Sequence, residues 1–533
     1  MNPPSFIGIA SVLLALLSPG MLVGQGIDLV ELTTEEIQEA YADGEYTAVD
    51  LTKAFLERID RYEDYYNAFI SMNPEALEIA ARLDEEYRSS GPRGPLHGVP
   101  VVIKDNMDYT GLVTTAGFWG FSTATGGIDM IPGDDAAAVE RLRNAGAIIL
   151  GKTNLPDFAG HGTRTNSSVA GITLNPYNVT KAPGGSSGGT ATAVNASFAV
   201  LGLGTETGGS IQNPSSAQAL VGVKPTYGLV PLEGVYPING SYVDVVGPMA
   251  KNVYDAAITL DIIAGPTTDD FATFAAVDHI PENGYASALA EAAIEGKRFG
   301  LVGSGWRERW LPLDPKTETV YRAAISTLTD LGAVVIEDPF AGSDFIELYS
   351  ERPSVPSQGA YDRRIYLQGL GSDAAFHSIA EWEELSGEVF GRRGGQGERR
   401  RTLPTRPGAT EEGDAFQSWR MEIRELFRSV MADHELDALF FPQAGAPNRD
   451  LVEDPDRPDY NPNNWPELPS NIINDFGIPV VTVPYAYYED NTPFVLAFIG
   501  DMWTEGDLLG YAYIFEQAVM SRRAPELINQ DSN

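Results

Sequence analysis

The chain has 533 residues, 43% of them hydrophobic, and its 74 acidic against 36 basic side chains give a formal charge of −38. That length allows a sizeable core, as one elaborated domain or two to three smaller ones, while the acidic balance argues against nucleic acid or an anionic membrane as partner. The absence of cysteine excludes disulfides, thiolate nucleophiles and cysteine-ligated metals, and the five histidines form no H-E-x-x-H pair of the kind a zinc hydrolase needs.

In chain order, residues 6 to 24 form an uncharged apolar run broken by Pro19-Gly20. It reads as a secretory signal peptide (1–25) cleaved near Gly24 to Gly26, which predicts a secreted or periplasmic protein. The preceding residues carry no Lys or Arg, and the run is almost long enough to span a membrane, so an uncleaved anchor is the alternative. Three helices follow with recognisable starts: Thr33 with Glu36, Thr47 with Asp50, and Asn73-Pro74 ahead of Leu77 and Leu83. They make residues 26–95 a helical N-terminal layer. Next come a buried strand over 99–103 ending at Lys104, a helix capped by Asp135, a strand over 147–150, a helix over 188–196 and a strand near 198–203. Strands alternating with helices predict an α/β core over 96–275. The pattern then loosens into a variable insertion (276–470). Within it, 387–414 is Gly-rich and basic and 448–468 is rich in Pro, Asp and Asn, so both read as surface loops. Strands over 479–484 and 494–500 and a helix opened by Thr504 return to the core (471–525), completing a single domain over 26–533.

The densest chemical signal runs from Pro183 to Ser210. Eight of these 28 residues are glycine, and two serines, Ser186 and Ser210, each follow a Gly-Gly pair. Glycine permits close backbone approach, serine is a usable nucleophile, and exposed N–H groups beside it suit an oxyanion. A flexible linker would share the composition but not the apolar run V-N-A-S-F-A-V-L-G-L between the serines. Two motifs here mislead. Gly146 to Thr153 satisfies G-x-x-x-x-G-K-[ST], yet its four intervening residues are apolar A-I-I-L and read as a strand rather than a phosphate loop. Gly185 to Gly189 fits G-x-S-x-G around Ser187, but the apolar strand that must precede a nucleophile elbow is missing.

Four strings in order, L-H-G-V-P-V-V-I-K-D-N, A-P-G-G-S-S-G-G, G-T-E-T-G-G-S-I and V-G-V-K-P-T-Y-G-L-V, resemble the amidase signature family, serine amidases and amidotransferase subunits built on a Ser-cisSer-Lys triad. The resemblance covers most of 30–265 and resumes at N-D-F-G-I-P-V-V-T-V-P. It implies an α/β fold with a central mixed β-sheet flanked by helices on both faces. It also implies Ser210 as nucleophile, Ser186 as a bridging hydroxyl on a cis peptide, Lys104 as base, and an oxyanion hole from the N–H groups of Thr207, Gly208, Gly209 and Ser210. A lone lysine at a strand end is usually solvated; joined to both serine motifs, Lys104 reads as catalytic. Ser187 and Asp105 would support the triad, although a turn-stabilising hydroxyl and a capping carboxylate would look the same, and Asn106 shares that ambiguity. His161 receives no catalytic role.

Two departures stand out. Family members commonly carry Arg two residues after the nucleophile and Asp four before it, whereas this chain has Gln212 and Glu206. The missing cation disfavours an obligately carboxylate-bearing substrate. The expected function is an exported amide hydrolase acting on a small-molecule amide, without cofactor or metal and with the oligomeric state open. The alternatives are a glutamine-hydrolysing amidotransferase of the A type, an ester or carbamate hydrolase on the same triad, and a non-catalytic binding protein.

Overall fold

The computed structural model describes residues 26–307, 311–353, 359–390, 410–453 and 467–528. The proposed signal peptide, most of the basic Gly-rich stretch and most of the 448–468 loop lie outside the described residues. The N-terminal layer consists of α1 (Thr34–Asp43), α2 (Ala48–Tyr66) and α3 (Ala76–Ser90). Thr33 and Thr47 close reciprocal capping boxes with Glu36 and Asp50, each satisfying two backbone donors that a helix start leaves open. One face of these helices buries Ile37, Leu51, Phe55, Ile59 and Leu83 in the main core.

That core is built on an 11-stranded mixed sheet. Its strands are β1 (Phe69–Met72), β2 (Pro100–Lys104), β3 (Ile148–Thr153), β6 (Leu201–Glu206), β7 (Val221–Lys224), β8 (Val245–Ala250), β9 (Arg298–Leu301), β10 (Val334–Ile336), β11 (Ala438–Pro442), β12 (Val480–Tyr487) and β13 (Pro493–Ile499). A two-residue pair, β4 (Asn166–Ser167) and β5 (Gly171–Ile172), lies apart from it. The order across the sheet is β1-β3-β2-β6-β8-β7-β12-β13-β11-β9-β10. β2 runs parallel to both β3 and β6, and β6 and β7 are each antiparallel to β8. The carboxyl ends of β2, β6 and β7 therefore emerge at one end of the sheet. In an open α/β sheet ligands collect at that end. Helices flank the sheet, among them α4 (Ala137–Asn144), α5 (Gly188–Asn195), α6 (Gln212–Ala217) and α7 (Val253–Ile263). Every residue of β2, β3, β6, β7 and β8 is buried, so these strands show no alternation of buried and exposed positions, and the charged residues at their carboxyl ends are buried with the rest.

Three features depart from the expectations drawn from sequence. Asp135 does not cap α4: its carboxylate accepts from the Thr110 N–H and hydroxyl and pairs with Arg143, and Ala136 holds the cap position without a side-chain bond. The strand expected near 198 begins at Leu201, because Ser197 turns through the left-handed region at φ 55° before the chain joins β2. The segment 276–470 is also less peripheral than an insertion, since β9, β10 and β11 form one edge of the central sheet. Their short parallel pairings, separated by long helices, carry no local periodicity that would reveal them. The A-I-I-L of the false phosphate loop does enter β3, and Lys152 that follows is wholly buried.

Candidate active site

Lys104 is the last residue of β2 and none of its surface reaches solvent. Its Nζ lies 2.7 Å from Ser186 Oγ, 3.0 Å from Ser187 Oγ, 2.9 Å from Thr205 Oγ1 and 3.1 Å from the Thr205 carbonyl oxygen. Burial pulls the amine from 10.5 down to about 7, against the opposing pull of the Glu206 and Asp244 carboxylates. Ser187 donates its hydroxyl proton to the Thr205 carbonyl at 3.1 Å, so its oxygen is left to accept from Lys104. Ser186, Ser187 and Thr205 thus each set a hydroxyl oxygen within hydrogen-bond reach of Lys104 Nζ.

The segment carrying both serines is forced into place by close packing. The Gly185–Ser186 peptide bond is cis. A Cβ on Gly184 would lie 2.3 Å from Pro214 Cα, one on Gly188 2.2 Å from Thr165 Oγ1, and one on Gly204 2.9 Å from Ser187 Oγ. The Ser187 N–H donates to the Ser210 carbonyl at 3.2 Å, which sets the two serine loops side by side. Ser210, 6% exposed, follows β6 through Thr207, Gly208 and Gly209, the last at φ 107°. Among the described residues none of the N–H groups from Thr207 to Ser210 donates a hydrogen bond. Thr207 donates its hydroxyl to Asp244 at 2.6 Å, and the same carboxylate accepts from the N–H groups of Ile238 and Asn239.

Asp105 does not bond to Lys104. Side chains alternate across a strand, and this carboxylate forms a fully buried ion pair with Lys152 at 2.9 Å while accepting from the Thr115 N–H at 3.1 Å and from its hydroxyl. It fixes the turn after β2. Asn106 reaches the site through one intermediary, donating to Thr205 Oγ1 at 3.0 Å. His161 accepts from the N–H groups of Thr163 and Arg164 and braces its own loop. Gln212 is fully buried and donates its side-chain amide to Glu206.

Beside Thr207 and Gly208 opens a cavity of about 430 Å³ whose wall includes Phe158, Ile238, Arg352 and Arg363. Phe158 sits at φ 54°, and Arg352 pairs with Asp475 at 2.6 Å. Arg363, 6% exposed, packs its guanidinium 5.6 Å from the centre of the Phe390 ring. Sequence reasoning missed both arginines, which lie in the irregular segment with no motif around them. It also missed Thr205 and Asp244. Thr205 stands inside the quoted G-T-E-T-G-G-S string, and the parallel register of β2 and β6 was the signal that would have placed it beside Lys104.

The amidase family profile matches residues 50–509. The chain is 33% identical to the A-type subunit of the glutamyl-tRNA(Gln) amidotransferase of Alkaliphilus metalliredigens, over 91% of this chain and 96% of that one. Among solved structures, a peptide amidase in complex with the competitive inhibitor chymostatin superposes with a TM-score of 0.78 at 32% identity, covering 93% of this chain and 99% of the other. The native peptide amidase of Stenotrophomonas maltophilia gives 0.75 at 31%, with the same coverage. With the profile spanning most of its length and the sheet shared with these enzymes, this chain belongs to the amidase signature family and is an enzyme acting on C–N amide bonds.

Proposed function

We propose that the chain is an amide hydrolase that works through an acyl-enzyme on Ser210, with Lys104 as base and Ser186 as the bridging hydroxyl. The observation that carries this reading is the buried amine of Lys104, 2.7 Å from Ser186 Oγ and brought by burial to about 7, so that a large share is neutral at pH 7. Lys104 accepts the Ser186 proton as Ser186 accepts that of Ser210, and the Ser210 oxygen attacks the amide carbon. The N–H groups from Thr207 to Ser210 receive the charge that develops on the carbonyl oxygen. Collapse of the tetrahedral intermediate breaks the C–N bond, and the relay run backwards protonates the departing ammonia or amine. Water then hydrolyses the ester on Ser210. The same chemistry serves an ester or carbamate. Export rests on the apolar run over 6–24 alone.

The curated relatives favour a second reading, a glutamine-hydrolysing amidotransferase of the A type that delivers ammonia within an assembly. Such proteins match at 30% to 34% identity over more than nine-tenths of this chain. Arg363 in the cavity wall suits a substrate carboxylate, as glutamine would present, whereas Arg352 is already paired with Asp475. The two readings separate in one assay. Purified chain is offered peptide amides, anilides, carbamates and glutamine, with Ser210→Ala as control. Hydrolysis of a peptide amide or anilide by the isolated chain supports the first reading. Ammonia release from glutamine that appears only with added partner proteins supports the second, and no Ser210-dependent hydrolysis under either condition overturns both.

A further inference from the structure

The carboxyl ends of β2, β6 and β7 bring Lys104, Glu206 and Lys224 to one end of the sheet, and only the first acts in the proposed relay. Glu206 is 1% exposed. One carboxylate oxygen accepts from the N–H groups of Ile211 at 2.7 Å and Gln212 at 3.0 Å, and the other accepts from Gln212 Nε2 at 2.5 Å. These bonds tie the end of β6 to the first turn of α6, closing a loop whose tip is Ser210. Resting on the reading of Lys104 as base, we propose that Glu206 is a positioning residue with two jobs: it clamps the nucleophile loop over 206–212, and its negative charge holds the pH at which the base becomes active higher than burial alone would set it.

The charges around this carboxylate support the second job. Lys104 and Glu206 end neighbouring parallel strands, and the charges of Glu206 and Asp244 both raise the proton affinity of Lys104. Lys224, fully buried and donating to the Ile478 carbonyl at 2.7 Å, faces Glu206 and Glu505, with Arg420 and Arg424 opposing them, and is likewise brought to about 7 by burial. The partner Glu206 holds at position 212 is a neutral amide.

The test uses the full chain and a fluorophosphonate, which forms an O–P bond at Ser210 and expels fluoride as the serine proton passes to the relay. The labelling rate is followed by intact mass from pH 5 to 9. Wild type is expected to show an acid limb centred near 7, lost in Lys104→Met. Glu206→Gln should move that midpoint down, by about one pH unit for a unit charge acting across a protein interior. Gln212→Arg, which sets a cation against Glu206, should move it in the same direction and keeps the test alive where Glu206→Gln does not fold. Glu206→Asp should hold the midpoint while lowering the plateau rate, because the charge stays and the clamp shortens. A limb that depends on Lys104 but stays put in Glu206→Gln and Gln212→Arg, or moves upward, overturns the inference alone. A wild type with no limb, or one that survives Lys104→Met, overturns the base assignment and this inference with it.

Discussion

Replacing Lys104 by Met isolates the energetic consequence of burying a titrating amine. In the unfolded chain the amine binds its proton until about pH 10.5, and in the folded protein it releases it near 7. Between those values the unfolded state holds more protons, so stability rises with pH. At pH 7 the burden on the folded state is about 4 kcal/mol, and by pH 9 it has fallen to about 2. Met keeps the length and removes the titration, at the cost of leaving Thr205 Oγ1 and Ser187 Oγ without their amine donor. That cost does not depend on pH over this range. Lys224 and Lys251, also lowered by burial, are common to both proteins and cancel in the comparison. Urea unfolding at pH 7, 8 and 9 in constant salt is therefore expected to show wild type gaining about 2 kcal/mol on Lys104→Met, while the variant has no hydrolytic activity. A stability gap that stays constant within about 0.5 kcal/mol across that range would refute the claim that burial neutralises this amine.

Three other substitutions probe the surroundings. Ser187→Ala removes one bond to Lys104, worth about 1 kcal/mol, and should lower kcat roughly fivefold with KM unchanged in steady-state assays. In Gly208→Ala the new Cβ would lie 2.3 Å from Asn471 Oδ1. If the N–H groups of this loop receive the oxyanion as proposed, the expected loss is about 100-fold in kcat as the loop shifts, and adding Asn471→Gly should restore most of it. Asp105→Asn leaves Lys152 charged and buried without its partner, so stability measured by urea unfolding should fall by about 3–5 kcal/mol, with part recovered in the double variant carrying Lys152→Met.

The sequence exposes those parts of the molecule where local chemistry and tertiary role coincide. Thr33 and Thr47 announce their helices because a capping box is a purely local device, and the Gly-Gly-Ser strings stand out because only glycine tolerates the contacts at 184, 188 and 204. Lys104 emerges from an apolar run, which anticipates its burial. Asp135 misleads because a carboxylate before a helix has the same pattern whether it bonds its own helix or, as here, Thr110 and Arg143. The cavity wall is hidden for a different reason. Arg352 and Arg363 reach the cavity beside Thr207 and Gly208 only through long-range packing of the segment around β9, β10 and β11, and no short window of sequence encodes that contact.

The most direct test of the account is to identify the serine that becomes acylated or phosphonylated, because Ser186, Ser187 and Ser210 lie on two adjoining loops. After reaction with a fluorophosphonate and proteolysis, mass spectrometry should place the adduct on Ser210, with none in Ser210→Ala and a labelling rate reduced at least roughly 100-fold in Lys104→Met. An adduct on Ser186 or Ser187, or labelling of Ser210 at the wild-type rate without Lys104, would contradict it.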